Sequence, residues 1–267
     1  MPFVSIGLLF VILTGGIDLS VGSIMALVSV VVGLWISHHG LSAALGLGLL
    51  VGICAGLVSG TLVAYFRIAP FVATLAMMTI ARGLALTISK GQPVFIESEA
   101  LTDFGSNYTF GIPDPVYVLL AASALGIFIY RKTVFGRIAL AIGSNETAVR
   151  FSGIRVLPYK ILVYAVCGAG SAFAGVISAS RTGVGSPILA IGFELDAIAA
   201  AVVGGARLSG GRGTVLKTLI GVLILSVISN LMNLMNIPGY HQQVVKGVII
   251  ILAVLLESAK AHLEKEG

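Results

Sequence analysis

Residues 42–66 read SAALGLGLLVGICAGLVSGTLVAYF, a run without a single Asp, Glu, Lys, Arg or His. A helix needs about 20 mostly apolar residues to cross the hydrocarbon core of a bilayer, and this run supplies them. Within it Gly48, Gly52, Gly56 and Gly60 recur every fourth residue, a seam of small residues that lets a neighbouring backbone approach closely. The surroundings have the same character. The 267-residue chain is 57% hydrophobic and only 10% charged, whereas ordinary soluble domains run near a quarter charged. An apolar excess of this size has lipid as its solvent, and the expectation is one compact bundle without a separate soluble domain.

Apolar runs divided at their polar breaks give nine segments, at 3–14, 21–37, 42–66, 70–89, 114–131, 159–180, 194–206, 213–233 and 243–258. The fold class is therefore all-α, a polytopic transmembrane helix bundle. Basic residues in short loops stay on the cytoplasmic side. Placing the 131–160 loop inside puts Arg67, Arg207, Arg212, Lys217, Lys260 and Lys265 there too. With Arg131, Lys132, Arg137, Arg150, Arg155 and Lys160, that is twelve of the sixteen Lys and Arg residues. The C-terminus then lies inside. The 90–113 loop, with Glu97, Glu99 and Asp103, lies outside, and only Arg82, Lys90, Arg181 and Lys246 fall near the outer side. An odd number of spans leaves Met1 outside, unless the short first segment is half a helix or a segment is missing upstream.

The net charge of +5 is spread over interhelical loops and forms no stripe interleaved with aromatics, so nucleic acid is not an expected partner. Cys54 and Cys167 sit in apolar runs and read as small hydrophobes. The four histidines lack metal-ligand spacing, and no nucleophile elbow occurs. Gly211–Thr218 resembles a phosphate-binding loop, but Leu216 stands where that motif needs its second glycine. No catalytic, metal or cofactor site is expected.

Two polar islands interrupt the apolar runs. The first, Thr14–Ser23, holds paired glycines, Asp18 and Ser20. It reads either as a capped helix start with Asp18 as N-cap or as a broken helix lining a polar pathway. The second places Glu194 and Asp196 at the outer end of a short span. These carboxylates either cap that helix or face a water-filled cavity, where they would meet a hydroxyl-rich solute. Asp18, Ser20, Glu194 and Asp196 are the candidate translocation path.

The 131–160 loop carries a short amphipathic element framed by Gly143 and Gly153. Ser144 or Asn145 can cap it, Glu146 and Arg150 form an i,i+4 pair, and Ala148, Val149 and Phe151 supply an apolar side. A small surface helix is expected, serving as a connector or as a docking element for a soluble partner.

Several blocks together resemble the permease subunits of ABC importers for ribose, related monosaccharides and autoinducer-2. They are GGIDLSVGS at 15–23, FVATL at 71–75, Arg82-Gly83, AIGSNE at 141–146, Ser152-Gly153-Ile154, ELDAIA at 194–199, Gly204-Gly205, LSGG at 208–211 and YHQQVVKG at 240–247. The resemblance implies a single transmembrane permease domain, residues 1–267, in the cell inner membrane. Members of that family usually carry one more hydrophobic helix ahead of this first segment, so it also implies a missing N-terminal helix. The implied partners are an ABC ATPase subunit that binds the ATP, a periplasmic sugar-binding protein, a second permease copy, the sugar and membrane lipid. In that picture Gly143, Asn145, Glu146, Ala148, Arg150 and Gly153 belong to the cytoplasmic coupling helix that sits in a cleft of the ATPase. On physics alone the rival is an ion-coupled secondary transporter in which Asp18, Glu194 and Asp196 handle protons or cations.

Overall fold

The computed structural model describes residues 1–266, with side chains described through Leu252 and at Leu255. Each of the nine apolar runs is helical. The first is α1 (Pro2–Leu13), and the second and third are two arms of one 44-residue helix, α2 (Val21–Ala64). The arms meet at Gly40 (φ 78°, ψ 170°), a conformation that glycine adopts at little cost. The second arm folds back along the first, because a Cβ at Gly48 would meet Val28 and Val32. Then come α3 (Pro70–Ile88), α4 (Glu99–Ser106), α5 (Asp114–Lys132), α6 (Val134–Phe151), α7 (Val156–Thr182), α8 (Phe193–Val203), α9 (Val215–Leu234) and α10 (Gly239–Glu266).

Two elements were not expected from the sequence. The 90–113 loop contains α4, whose Gly105 packs on the Ser180 carbonyl of α7. It also contains β1 (Val94–Phe95), paired antiparallel with β4 (Val184–Gly185), and the hairpin of β2 (Tyr108–Thr109) with β3 (Ile112–Pro113). The 131–160 stretch is mostly helix and not a loop. α6 is broken at Asn145, so the short amphipathic helix begins after that residue and Gly143 lies in the last turn of the helical part ahead of it.

Among the described residues five helices, α2, α3, α5, α7 and α9, are long and apolar enough to cross a membrane. Their outward faces carry large apolar side chains such as Leu125 and Phe128 on α5 and Leu223 on α9, an arrangement suited to lipid. The chain is a multi-pass membrane protein.

The position of α1 is decided by its neighbours. Every residue from Phe3 to Leu13 is buried, and α1 forms the centre of the largest core cluster. Gly7 meets the backbone of Cys167, near the middle of α7. The glycine seam seen in the sequence packs α2 on the same helix: Gly52 and Gly56 lie against the backbone at Gly168 and Tyr164 of α7. α8, with 11 residues, is about half the length of a spanning helix.

Candidate functional site

The polar side chains of the 14–20 break are buried against the middle of α7, while Gly15 is exposed. Asp18 and Ser20 are fully buried, and Asp18 lies beside Tyr164 and Cys167. Asp18 Oδ1 accepts from the Ser20 amide at 2.9 Å and from the Ser20 hydroxyl at 2.6 Å. Asp18 is thus not the helix cap. Ser20 occupies the N-cap position of α2, without a side-chain capping bond, and Asp18 closes the turn just before it. Asp18 Oδ2 and the Tyr164 hydroxyl, both buried, have no hydrogen-bond partner among the described residues. Polar capacity left open in a low-dielectric interior is costly unless water or a solute answers it.

Glu194, in the first turn of α8, reaches the same helix start as Asp18. A Cβ on Gly22 would lie 3.0 Å from Glu194 Oε2. Asp196 does not join them. It turns to α10, where Lys246 Nζ donates to its Oδ2 at 2.7 Å. Neither carboxylate makes a side-chain cap, since the N-cap of α8 is Gly192 in a left-handed conformation. Arg82, whose sequence position placed it near the outer side, donates from its Nη1 to the carbonyls of Pro187 (2.7 Å) and Leu189 (2.8 Å), tying α3 to the segment that leads into α8. Arg82 is the single charged residue of α3 and Lys246 the single one in the stretch 239–256, a pattern that itself marks internal partners.

The coupling candidates lie at the end of the bundle that also carries the 204–214 loop and the C-terminal end of α5, which are joined by a bond from the Tyr130 hydroxyl to the Gly213 carbonyl (2.7 Å). α6 is interrupted at Asn145 (φ −160°, ψ 92°). The Asn145 side chain accepts from the Ala148 amide at 2.9 Å, which caps the short helix 146–151 as its spacing suggested. Glu146 accepts from Arg150 Nε at 3.1 Å and Nη2, and its second oxygen accepts from Lys160 Nζ. Burial pushes the Glu146 carboxyl up, but the bonds from Lys160 and Arg150 outweigh it and hold the group below its usual range. The expected apolar side divides. Val149 packs with Ile138, Ile142 and Val156, while Ala148 is exposed and Phe151 is 88% exposed. Gly153 (φ 79°) ends the element with open space around it.

A junction of backbones joins the two regions. A Cβ at Gly143 would overlap the Leu13 carbonyl oxygen and the Gly211 nitrogen. A Cβ at Gly210 would lie 2.8 Å from the Gly15 nitrogen and 2.9 Å from Gly143 Cα. The Gly211 amide donates to the Leu13 carbonyl at 3.0 Å. Three chain segments, α6, the 204–214 loop and the end of α1, therefore meet backbone to backbone, with the Ser144 hydroxyl beside Gly211, at the start of the break that holds Asp18. No motif search on single residues would find this, because glycines far apart in sequence carry it.

Residues 2–254 match a family described as the permease component of branched-chain amino acid transport systems. The chain is 44% identical to the ribose import permease protein RbsC of Bacillus subtilis, covering 97% of this chain and 81% of that protein. It is 40% identical to RbsC of Escherichia coli K12, covering 96% and 81%. To the L-arabinose ABC transporter permease protein AraH of Azospirillum brasilense it is 39% identical, covering 97% and 77%. No solved structure matches it.

Proposed function

We propose, from the premise that this chain belongs to the family of transport-system permease components, that it is the membrane-spanning subunit of an ATP-driven importer for a ribose-like monosaccharide. The relatives named for ribose and L-arabinose support the solute class. The chain itself carries no catalytic residue or cofactor in this reading. ATP is bound and hydrolysed by a separate ABC ATPase subunit, a periplasmic sugar-binding protein delivers the sugar, and two permease copies form the pore. The end of the bundle with Gly143 faces the cytoplasm, together with the C-terminus. This is supported by the gathering of Arg67, Arg150, Arg155 and Lys160 around one cleft beside the coupling element.

The single observation that carries the mechanism is the Gly143–Leu13–Gly210 junction. An ATPase can drive the pore only through contacts that differ between its two states. The segment Gly143–Gly153 receives that difference, and backbone in direct contact passes displacement on without the slack of a flexible side chain. Displacement reaches the 14–20 break and α8, whose carboxylates Asp18 and Glu194, with Ser20, offer hydrogen-bond acceptors to sugar hydroxyls. Alternating access follows from movement of α1 against α8. Asp196 has the lesser part in the path, because Lys246 already occupies it.

Uptake of labelled ribose tests this in cells expressing the permease with its ATPase and binding protein. Uptake stops on ATP depletion and survives collapse of the proton gradient. The opposite pattern would establish ion-coupled secondary transport instead. The double variant Glu146→Lys, Arg150→Glu abolishes uptake while the permease remains in the membrane. It restores one ion pair but sets a lysine at 146 against Lys160.

A further inference from the structure

A cleft of about 1140 Å³ opens beside the coupling helix. One wall is Glu146, Arg150, Arg155 and Lys160; the other is the α2–α3 link, from which Tyr65 and Arg67 line it. Four cations face one carboxylate, so three positive charges are in excess. Glu146 already engages both Arg150 and Lys160. Arg67 and Arg155 have no hydrogen-bond or ion-pair partner among the described residues.

The second wall is held in place by its backbone. Phe66 and Ile68 donate their amides to the carbonyls of Thr61 and Leu62 (3.3 and 3.1 Å), and Arg67 takes the left-handed conformation, φ 57°. A non-glycine residue held at positive φ persists only where the surroundings enforce it, and such strain gathers at functional positions. Tyr65 is 65% exposed at the rim, and arginine with tyrosine is the side-chain pairing that dominates protein interfaces.

Resting on the importer reading above, we infer that this cleft is a second docking surface for the ATPase, taking an acidic segment of that subunit whose carboxylates pair with Arg67 and Arg155. Guanidinium groups match carboxylates in a bidentate fork. The volume exceeds the roughly 300–1,000 Å³ of small-ligand sites, which fits several side chains of a protein segment better than one phospholipid headgroup. The ATPase then holds the coupling helix from one side and the α2–α3 link from the other, so its closure moves α3 and α6 together.

The test uses full-length permease in nanodiscs of phosphatidylcholine alone and in nanodiscs containing phosphatidylglycerol, with ATPase binding measured across a salt series. The variant Arg67→Glu, Arg155→Glu weakens binding at least about tenfold in both lipids and flattens the salt dependence. The variant Arg67→Lys, Arg155→Lys keeps the charge but not the fork, and its binding falls between wild type and the Glu variant with the salt dependence retained. Equal binding by wild type and the Glu variant overturns the cleft while leaving the importer reading intact. Loss of binding in the Lys variant equal to that in the Glu variant, with a lowered melting temperature, assigns the arginines to folding and also overturns it. A defect seen only with phosphatidylglycerol assigns the cleft to an anionic headgroup. Wild-type permease that binds no ATPase in either lipid overturns the importer reading itself.

Discussion

Gly143 and Gly153 frame the same sequence motif, yet the fold uses them in opposite ways. Gly143 is helical and touches three backbones; a single methyl there collides with Leu13 and Gly211. Gly153 stands in open space and is needed only for its positive φ. The contrast extends to their surroundings. Around Gly143 backbones pack against one another and Asp18 nearby is buried, while beyond Asn145 the short helix 146–151 is open, charged and bordered by a cleft. A transporter needs both: a rigid junction to carry displacement and an accessible face to receive it.

The largest effect separates the two glycines. Gly143→Ala forces backbone apart at a close-packed site, an overpacking cost of about 1–3 kcal/mol, and uptake is lost with a lowered melting temperature. Gly153→Ala meets no neighbour and costs about 1–2 kcal/mol for the left-handed backbone, with uptake kept within a few-fold. Paired melting and uptake measurements check this, and equal losses at the two positions would erase the contrast.

A smaller effect sharpens the sealed side. Asp18→Ala leaves the Ser20 amide and hydroxyl without their acceptor, at a cost of about 1–3 kcal/mol. Asp18→Asn keeps that acceptor and adds a donor near the Tyr164 hydroxyl, so the melting temperature returns while uptake stays low. Uptake that returns with it would remove the Asp18 charge from the path.

The smallest effect lies on the open side. Because the Glu146 carboxyl is held below its usual range, its pairing contributes stability above the unfolded glutamate pKa and loses it as pH falls through the lower folded value. Surface pairs of this kind contribute only about 0.2–1 kcal/mol. Amide protection factors at 148–154, which remove the intrinsic pH dependence of exchange, therefore stay level down to the ordinary glutamate range and fall only below it. A fall already near neutral pH would contradict the pairing with Lys160.

Much of this was legible in the sequence because the bilayer is a demanding solvent. Backbone polar groups must be satisfied within each segment, so apolar run length alone located nine helical stretches, and the Asn145 cap and Glu146–Arg150 pair are local features with fixed spacing. The 90–113 loop hid α4 because eight residues with a charged first turn give a weak signal. The role of Val149 against Phe151 was hidden because neighbouring positions on a short helix divide by what packs beside them.

Composition, periodicity and the order of motifs determined that this chain spans a membrane and belongs among transport permeases. Tertiary structure alone decided that α1 is buried at the centre, that Asp196 is engaged by Lys246 while Glu194 turns to Gly22, and that Gly143 meets Leu13 and Gly211. The reason is physical. Run length and capping depend on residues a few positions apart, whereas close backbone approach depends on which distant segments three-dimensional packing brings together.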